Sequence, residues 1–400
     1  MKYIVMLCDG MADYPLKELD GKTPMAAAFK PNMERLAKKA TAGIVKTVPE
    51  SLNPGSDVAN LSAMGYDPVS CYTGRSPLEA MSIGIDMAPD DIAFRCNLVT
   101  LSDDEPFEKK VMADYSAQEI TTAEAAEIIK AVNEAFENDI IKFYSGVSYR
   151  HCMIWHKGPN GLGLTPPHDI SDRVIGEYLP KNDTLLGMMK KSYDVLKNHP
   201  VNIERKKRGL NPANAIWLWG EGTRPAIPNF KEMFGLKGSV ISAVDLIKGI
   251  GITAGLDVIN VEGATGNITT NFANKGKAAL KSLVENGNDY VYIHVEAPDE
   301  CGHRGEIDNK VKSIELIDRD IVGPLTKGLE EAGEDYTIMV LPDHPTPIST
   351  KTHARDAVPF IIYRSNEPVE GIDTFSEEAA AKTGLYIPNG PELSRLFLRK

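Results

Sequence analysis

Short runs of strongly apolar residues alternate with amphipathic helical segments along most of this chain. The first ten residues predict a buried strand, because the apolar run YIVMLC ends at Asp-Gly. Further strands are predicted at SVISAV, DVINVEG, DYVYIHVE, YTIMVL and PFIIYR. Helices are predicted over residues 31–43, ending at Gly43, over 276–287 and over 306–332. This alternation favours an α/β fold in which helices sandwich a mostly parallel sheet.

The middle of the chain departs from this alternation. It predicts a helix at TTAEAAEIIKAVNEAF, a strand pair at FYSGVSYRHCMIWHKG, a loop at PNGLGLTPPHDIS and a helix over residues 183–198. We therefore predict a smaller α+β domain over residues 114–210. It is inserted into a larger catalytic domain formed by residues 1–113 and 211–400.

The composition is that of a globular protein, with 42% hydrophobic and 25% charged residues. The net charge of −12 makes nucleic acid an unsuitable partner. The five cysteines are widely spaced and favour reduced thiols in a cytoplasmic protein. No apolar run approaches about 18 residues, so no membrane span is expected. The oligomeric state stays open between a monomer and a small homo-oligomer.

Residues that commonly bind metals follow three of the predicted strands. Asp9 ends the first strand, Asp299 comes shortly after DYVYIHVE, and an Asp-His pair follows YTIMVL. Ligands of parallel sheets bind outside the carboxyl ends of the strands, so these side chains should share one edge. Carboxylate and imidazole together suit Zn²⁺, Mn²⁺ and related ions. The candidate metal ligands are Asp9, Asp299, His303, Asp343, His344 and His353.

The stretch NPGSDVANLSAMGYDP predicts a turn that opens a helix, with Ser56 at the junction. Backbone N–H groups at a helix start are suited to binding phosphate. Either Ser56 or Asp57 could instead serve only as the helix N-cap. Beside divalent metals, however, the Ser56 hydroxyl becomes a candidate nucleophile. The two features together predict a two-metal phosphoryl-transfer site with a serine nucleophile.

A family resemblance extends over nearly the whole chain. It is carried by the motifs LCDGMAD, PGSDVANLSAMGYDP, YTGRSPLEA, FRCNLVT, TPPHDI, GATGNITTN, EAPDECGHRGE, LPDHPTP and KTHARDAVPF. These motifs resemble the archaeal-type cofactor-independent phosphoglycerate mutases of the alkaline phosphatase superfamily. The resemblance implies an alkaline phosphatase-like fold and, in glycolysis and gluconeogenesis, interconversion of 3-phosphoglycerate and 2-phosphoglycerate through a phosphoserine. It also implies two divalent metal ions (Mn, Zn, Co or Mg), with neither a nucleotide nor 2,3-bisphosphoglycerate as cofactor.

The resemblance further implies how the ligands divide between the two metal ions. One ion is expected to take Asp299, His303 and His353. The other is expected to take Asp9, Ser56, Asp343 and His344.

The inserted domain is expected to act as a lid that keeps water from the phosphoserine. Arg150 could bind a carboxylate or phosphate bidentately, and Asp169 could be the base for the substrate hydroxyl. A surface ion pair for Arg150 and a turn role for Asp169 are the alternatives. Further candidates for substrate contact, some of which could be ordinary surface charges, are Asp57, Arg75, His151, His168 and Lys275.

Three other functions are considered. A phosphatase or phosphodiesterase of the same superfamily would use the same metals and serine. A kinase is disfavoured, because GATGNIT lacks the closing Gly-Lys-Ser/Thr of a P-loop. A metal-stabilised regulator without activity should have lost some of the ligands or the serine, and all of them are present.

Overall fold

The computed structural model describes residues 1–399, which form two compact units. The first unit contains residues 1–72 and 226–399, and the second unit is Thr73–Pro225. The predicted insertion of residues 114–210 lies inside the second unit. The unit is longer than the prediction because strands over residues 91–101 and 215–223, on either side of the predicted insertion, pair with each other.

Thirteen strands occur within residues 1–399. In chain order they are β1 Lys2–Cys8, β2 Ala40–Val45, β3 Asp91–Leu101, β4 Met112–Asp114, β5 Ile141–Val147, β6 Arg150–His156, β7 Ala215–Thr223, β8 Gly238–Ile241, β9 Asp257–Val258, β10 Tyr290–Val295, β11 Tyr336–Leu341, β12 Val358–Arg364 and β13 Tyr386–Ile387.

The α-helices of the same residues lie between these strands, except the last, which follows β13. They are α1 Pro24–Ala27, α2 Pro31–Ala37, α3 Ser56–Ala63, α4 Pro68–Cys71, α5 Arg75–Ser82, α6 Thr122–Phe136, α7 Asp183–Leu196, α8 Pro200–Lys207, α9 Phe230–Phe234, α10 Asp245–Thr253, α11 Phe272–Val284, α12 Ala297–Arg304, α13 Ile307–Ile317, α14 Gly323–Glu331, α15 Glu377–Lys382 and α16 Gly390–Leu398. None of the helices over this range combines the length and the apolar character needed to cross a bilayer.

The first unit contains an eight-stranded sheet with the order β13-β2-β12-β11-β1-β10-β8-β9. Pairing is parallel from β11 across β1, β10 and β8 to β9, whereas β12 is antiparallel to both of its neighbours. The predicted α/β fold with a mostly parallel sheet and flanking helices is confirmed.

Successive side chains of the central strands point to opposite faces of the sheet and therefore pack in two different layers. Met6 pairs with Ile293 on one side and Val340 on the other, and all three lie in one buried cluster with residues of α11, α13 and α14. On the opposite face, the Tyr292 hydroxyl donates a hydrogen bond to Asn60 Oδ1 of α3 at 2.7 Å. Strand β10 therefore connects the core to the helix that begins with Ser56.

Two predicted helices differ from the structure. The prediction over residues 31–43 is wrong beyond α2, because Gly43 lies inside β2, which is paired with β12 and β13. The predicted helix over residues 306–332 is divided by a π-helical segment, Asp318–Val322. The Asp318 carboxylate accepts hydrogen bonds from the N–H groups of Asn32 and Met33 at the start of α2. It therefore supplies partners for N–H groups that a helix start leaves free.

The second unit is built on an antiparallel sheet. Its long strand β3 pairs with β6 and β7 on its two sides and with β4 at its end, and β5 pairs with β6. Helices α6 and α7 pack with this sheet around a separate core that includes Phe94, Val132, Met189 and Trp217. The α+β character predicted for the middle of the chain matches this arrangement.

Candidate active site

Three neighbouring parallel strands of the first unit end at the same edge of the sheet. Asp9 follows β1, Asp343 and His344 follow β11, and β10 leads into α12. Asp299 lies in the first turn of α12, and His303 lies one helical turn later. The i, i+4 spacing places both of these side chains on one face of the helix. The structure thus brings ligand-type residues from distant parts of the sequence to one place.

One group of these side chains surrounds Asp299. Its Oδ2 atom is 3.2 Å from His303 Nε2, and its Oδ1 atom is 3.4 Å from His353 Nε2. The two Nε2 atoms are 3.0 Å apart. His303 Nδ1 is 3.0 Å from the Lys351 carbonyl oxygen, which can only accept. When the ring is neutral, as it must be to bind a metal ion, Nδ1 therefore carries the proton and Nε2 offers its lone pair to the metal instead of donating to Asp299.

A second group consists of Asp9, Asp343 and His344, whose candidate ligand atoms lie within 4.8 Å of one another. His344 Nε2 is 3.6 Å from Asp9 Oδ1 and 3.4 Å from Asp343 Oδ2. His344 also lies within the same distance limit of Asp299 and His353. It therefore stands between the two groups.

Ser56 is the first residue of α3, and its Oγ atom is 3.2 Å from His344 Nε2. The N-cap of α3 is Gly55, which has no side chain to cap the helix, although Asp57 Oδ1 accepts from the Val58 N–H group at 2.9 Å. The N-cap alternative for Ser56 and Asp57 is therefore wrong. Ser56 keeps its hydroxyl beside the candidate ligands, while the Asp57 carboxylate accepts from the Tyr72 hydroxyl at 2.6 Å.

The electrostatics of the site favour a bound cation. Burial, together with the negative charges of Asp343 and Asp299, raises the pKa of Asp9 well above its usual value. Burial alone would also raise the pKa of Asp299, but hydrogen bonds from His303 and His353 hold it well below its usual value. The hydrogen bond to Asp299 raises the pKa of His303 to about 9. Positive charge is therefore stabilised next to Asp299 and is lacking next to Asp9.

Close packing at the site constrains one backbone position. Gly10 has φ of +61°, and a Cβ atom there would lie 2.6 Å from Asp299 Oδ1. Its N–H group donates to Asp343 Oδ1 at 3.1 Å. Only glycine combines this left-handed conformation with this close approach.

The sequence predictions missed three residues that orient the candidate ligands. Asn60 donates from Nδ2 to Asp343 Oδ2 at 2.8 Å, and the Thr346 hydroxyl donates to Asp299 Oδ1. His294 Nε2 lies 2.8 Å from Asp9 Oδ2. Asn60 could have been suspected because it lies four residues after Ser56 in a predicted helix, and therefore on the same face.

Two of the candidate substrate contacts occupy unexpected places. Lys275 is fully buried, and its ammonium donates to the His294 carbonyl oxygen at 3.0 Å, so it is not the exposed phosphate contact that we expected. Burial lowers the pKa of Lys275 to about 8. His151 is 5% exposed, and its Nδ1 atom accepts from the Gly146 N–H group. Burial lowers the pKa of His151 to about 3, which gives a neutral ring.

The second unit gathers several of the remaining candidates. Glu79 binds two arginines, with Arg75 Nε 2.8 Å from Oε1 and Arg95 Nε 3.0 Å from Oε2. The Arg95 guanidinium also lies over the Trp219 ring, 4.4 Å from its centre. The His168 ring meets the edge of the same indole, with the ring centres 5.4 Å apart. Arg95 was not singled out from the sequence, although it lies in the motif FRCNLVT.

Arg150 and Asp169 also belong to the second unit. Arg150 is exposed and lies 5.6 Å from the centre of the Tyr149 ring. In the described part of the chain no carboxylate forms an ion pair with Arg150, so the ion-pair alternative finds no support. Asp169 is in the 3₁₀ turn Pro167–Ile170, 3.5 Å from His168 Nε2.

The donor set fits divalent cations in two respects. It consists of carboxylate oxygens and imidazole nitrogens, which suit Zn²⁺, Mn²⁺ and Co²⁺. In addition, Asp9 Oδ1 is buried and has no hydrogen-bond partner within residues 1–399. A buried carboxylate oxygen without a partner is costly, and a cation would supply the missing interaction.

Known proteins are similar to this chain in sequence and in fold. The family described as 2,3-bisphosphoglycerate-independent phosphoglycerate mutase matches residues 37–202. A Geobacter sulfurreducens protein named a probable enzyme of this kind is 50% identical over 403 residues, covering 100% of both chains. The enzyme so named from Methanothrix thermoacetophila is 47% identical over 401 residues, again covering 100% of both.

Solved structures agree with these relatives. A Pyrococcus horikoshii protein has a TM-score of 0.83 at 30% identity, covering 100% of this chain and 96% of its own. The cofactor-independent phosphoglycerate mutase of Thermoplasma acidophilum has a TM-score of 0.70 at 26% identity, covering 100% and 99%. The resemblance found in the sequence is therefore confirmed: the chain belongs to the 2,3-bisphosphoglycerate-independent phosphoglycerate mutase family.

Proposed function

We propose that this protein interconverts 3-phosphoglycerate and 2-phosphoglycerate through a phosphoserine formed on Ser56. The observation that carries the proposal is the position of the Ser56 hydroxyl, 3.2 Å from His344, at the edge of two groups of metal-type ligands. The names of relatives that match the whole chain support the same activity.

In the first half-reaction, Ser56 Oγ attacks the phosphorus atom and its proton is lost. The bond between phosphorus and the C3 oxygen of the substrate breaks, and that oxygen takes up a proton. In the second half-reaction the C2 hydroxyl of glycerate loses its proton and attacks the phosphoserine. The bond between phosphorus and Ser56 Oγ then breaks, and Oγ takes up a proton, which regenerates the serine hydroxyl. No cofactor phosphate is consumed in this cycle.

We assign the metal ligands as the family resemblance implies. Asp299, His303 and His353 would hold one divalent ion, and Asp9, Ser56, Asp343 and His344 would hold the other. The ions would neutralise phosphate charge and favour the deprotonated serine. Asn60 and Thr346 orient the Asp343 and Asp299 carboxylates through their hydrogen bonds.

We assign substrate binding to the second unit. Arg150 is exposed and free of ion pairs within residues 1–399, which leaves its guanidinium available for a carboxylate or phosphate. Arg75 and His168 would provide further contacts. Asp169 would take the proton from the C2 hydroxyl. The five buried, unpaired cysteines support a reducing, cytoplasmic setting for the reaction.

The products of the reaction test the proposed function directly. Incubated with 3-phosphoglycerate and Mn²⁺, the protein is expected to form 2-phosphoglycerate without releasing inorganic phosphate. Phosphorus NMR separates the two phosphoglycerates and free phosphate in one spectrum. Stoichiometric release of phosphate would contradict the mutase and would identify a phosphatase.

Replacing Arg150 tests the substrate contact. Arg150→Ala is expected to lower kcat/KM about 10- to 100-fold, because a hydrogen bond to a charged group contributes about 1.5–3 kcal/mol. Steady-state kinetics with 3-phosphoglycerate would measure the loss. The control is Lys207→Ala, which removes an exposed cation from α8 of the same unit. Equal kinetics for the Arg150 variant and the control would remove Arg150 from the site.

A further inference from the structure

The two oxygen atoms of Asp9 have different surroundings. Oδ2 lies 2.8 Å from His294 Nε2, whereas Oδ1 is buried and has no hydrogen-bond partner within residues 1–399. Because the carboxylate can only accept, the Nε2 atom must carry the proton of this hydrogen bond. One oxygen of Asp9 is therefore occupied, and the other is left open toward His344, 3.6 Å away.

The group on the other side of the His294 ring is compatible with this tautomer. Ser242 Oγ accepts from the Val244 N–H group at 2.9 Å and lies 3.2 Å from His294 Nδ1. With the imidazole proton on Nε2, the Ser242 hydroxyl donates to Nδ1. A continuous chain of hydrogen bonds thus runs from the start of α10 through Ser242 and His294 to Asp9.

The main chain of His294 is held as well. Its carbonyl oxygen accepts from Lys275 Nζ at 3.0 Å, and its side chain is fully buried on the face of β10 that also carries Tyr292. Neither the ring nor the backbone is free to turn. An imidazole held in this way presents its N–H group in one fixed direction.

We propose that His294 is a positioning residue that holds Asp9 Oδ2 and thereby aims Asp9 Oδ1 at a divalent cation. The inference rests on the two-metal site proposed above. It assigns a function to a histidine that is not itself a metal ligand. Groups that orient a metal ligand in this way commonly change metal affinity 10- to 100-fold when they are removed.

Two substitutions separate the hydrogen bond from the volume of the ring. His294→Leu fills similar space without a donor. His294→Gln can keep an N–H donor at nearly the position of Nε2. Protein stripped of metal would be titrated with Mn²⁺ by calorimetry, and metal content after dialysis would be measured by atomic absorption.

We expect His294→Leu to weaken the binding of one of the two Mn²⁺ equivalents about 10- to 100-fold and to leave the affinity for the other unchanged. The unchanged equivalent is the internal control, since within residues 1–399 Asp299, His303 and His353 form no hydrogen bond or ion pair with His294. His294→Gln is expected to bind both equivalents nearly as tightly as the unchanged protein. If the ring had only a structural role, metal affinity would not fall at one site alone and then be restored in the glutamine variant.

Two results would overturn the proposal. One is tight binding of both equivalents by His294→Leu, and the other is an equal loss in the leucine and glutamine variants. If the leucine variant does not fold, His294→Met, which also lacks an N–H donor, replaces it. Tight binding of both equivalents by that variant would again contradict the inference. If the unchanged protein binds no Mn²⁺, the two-metal site fails instead, and the titration distinguishes that outcome.

Discussion

Ser56→Ala is expected to lower kcat by more than about 10³-fold while leaving the fold and most of the metal affinity in place. The reason is that, in the proposed cycle, Ser56 Oγ is the atom that carries the phosphoryl group between the two half-reactions. The remaining carboxylate and imidazole ligands are untouched by the change. Steady-state kinetics with 3-phosphoglycerate, together with Mn²⁺ calorimetry, would separate the loss of turnover from any loss of metal.

The control for this change is Ser51→Ala, which removes an exposed hydroxyl from the segment before α3. It is expected to keep wild-type kinetics. A direct measurement supports the comparison: acid quenching during turnover, followed by mass spectrometry, should find phosphate on the peptide that contains Ser56. Substantial turnover by Ser56→Ala would refute the nucleophile assignment.

The edge of the sheet where the candidate ligands meet could be predicted from the sequence, because the signal is local. The apolar runs that became β1, β10 and β11 each end shortly before an aspartate, and parallel strands present their carboxyl ends together. The i, i+4 spacing of Asp299 and His303 was also readable and became one face of α12.

Other parts depend on partners that are distant in the sequence. The segment around Gly43 has local features of a helix end, yet pairing with β12 makes it a strand. His294 reads as an interior residue of an apolar strand, and its partner Asp9 lies 285 positions away. From the sequence, Lys275 is expected to be exposed, but packing against β10 buries it. No local pattern in the sequence indicates these contacts.

The same nonlocal contacts explain why a bound cation would stabilise the proposed site. Asp9 and Asp343 are buried carboxylates that lie close together, and this proximity contributes to the raised pKa of Asp9. A protein that buries two such groups gains from a cation that binds both. The hydrogen bonds from Asn60 and Gly10 fix Asp343 but add no positive charge.

Removal of metal is therefore expected to abolish activity and to lower stability together. Dialysis against EDTA should eliminate turnover, and Mn²⁺, Co²⁺ or Zn²⁺ should restore it, since all three suit carboxylate and imidazole ligands. At a free metal concentration of 100 times Kd, each site should stabilise the folded state by about 2.7 kcal/mol. Calorimetric melting with and without Mn²⁺ would measure this difference.

The matched control is dialysis against EDTA that has been saturated with Mn²⁺, which has the same buffer and chelator but removes no metal. Under this treatment we expect unchanged activity and an unchanged melting temperature. Full activity in protein shown to be free of metal by atomic absorption would contradict the two-metal site. Loss of activity without any change in melting temperature would contradict the argument that the cation relieves the buried carboxylates, because ligand-linked stabilisation must accompany tight binding.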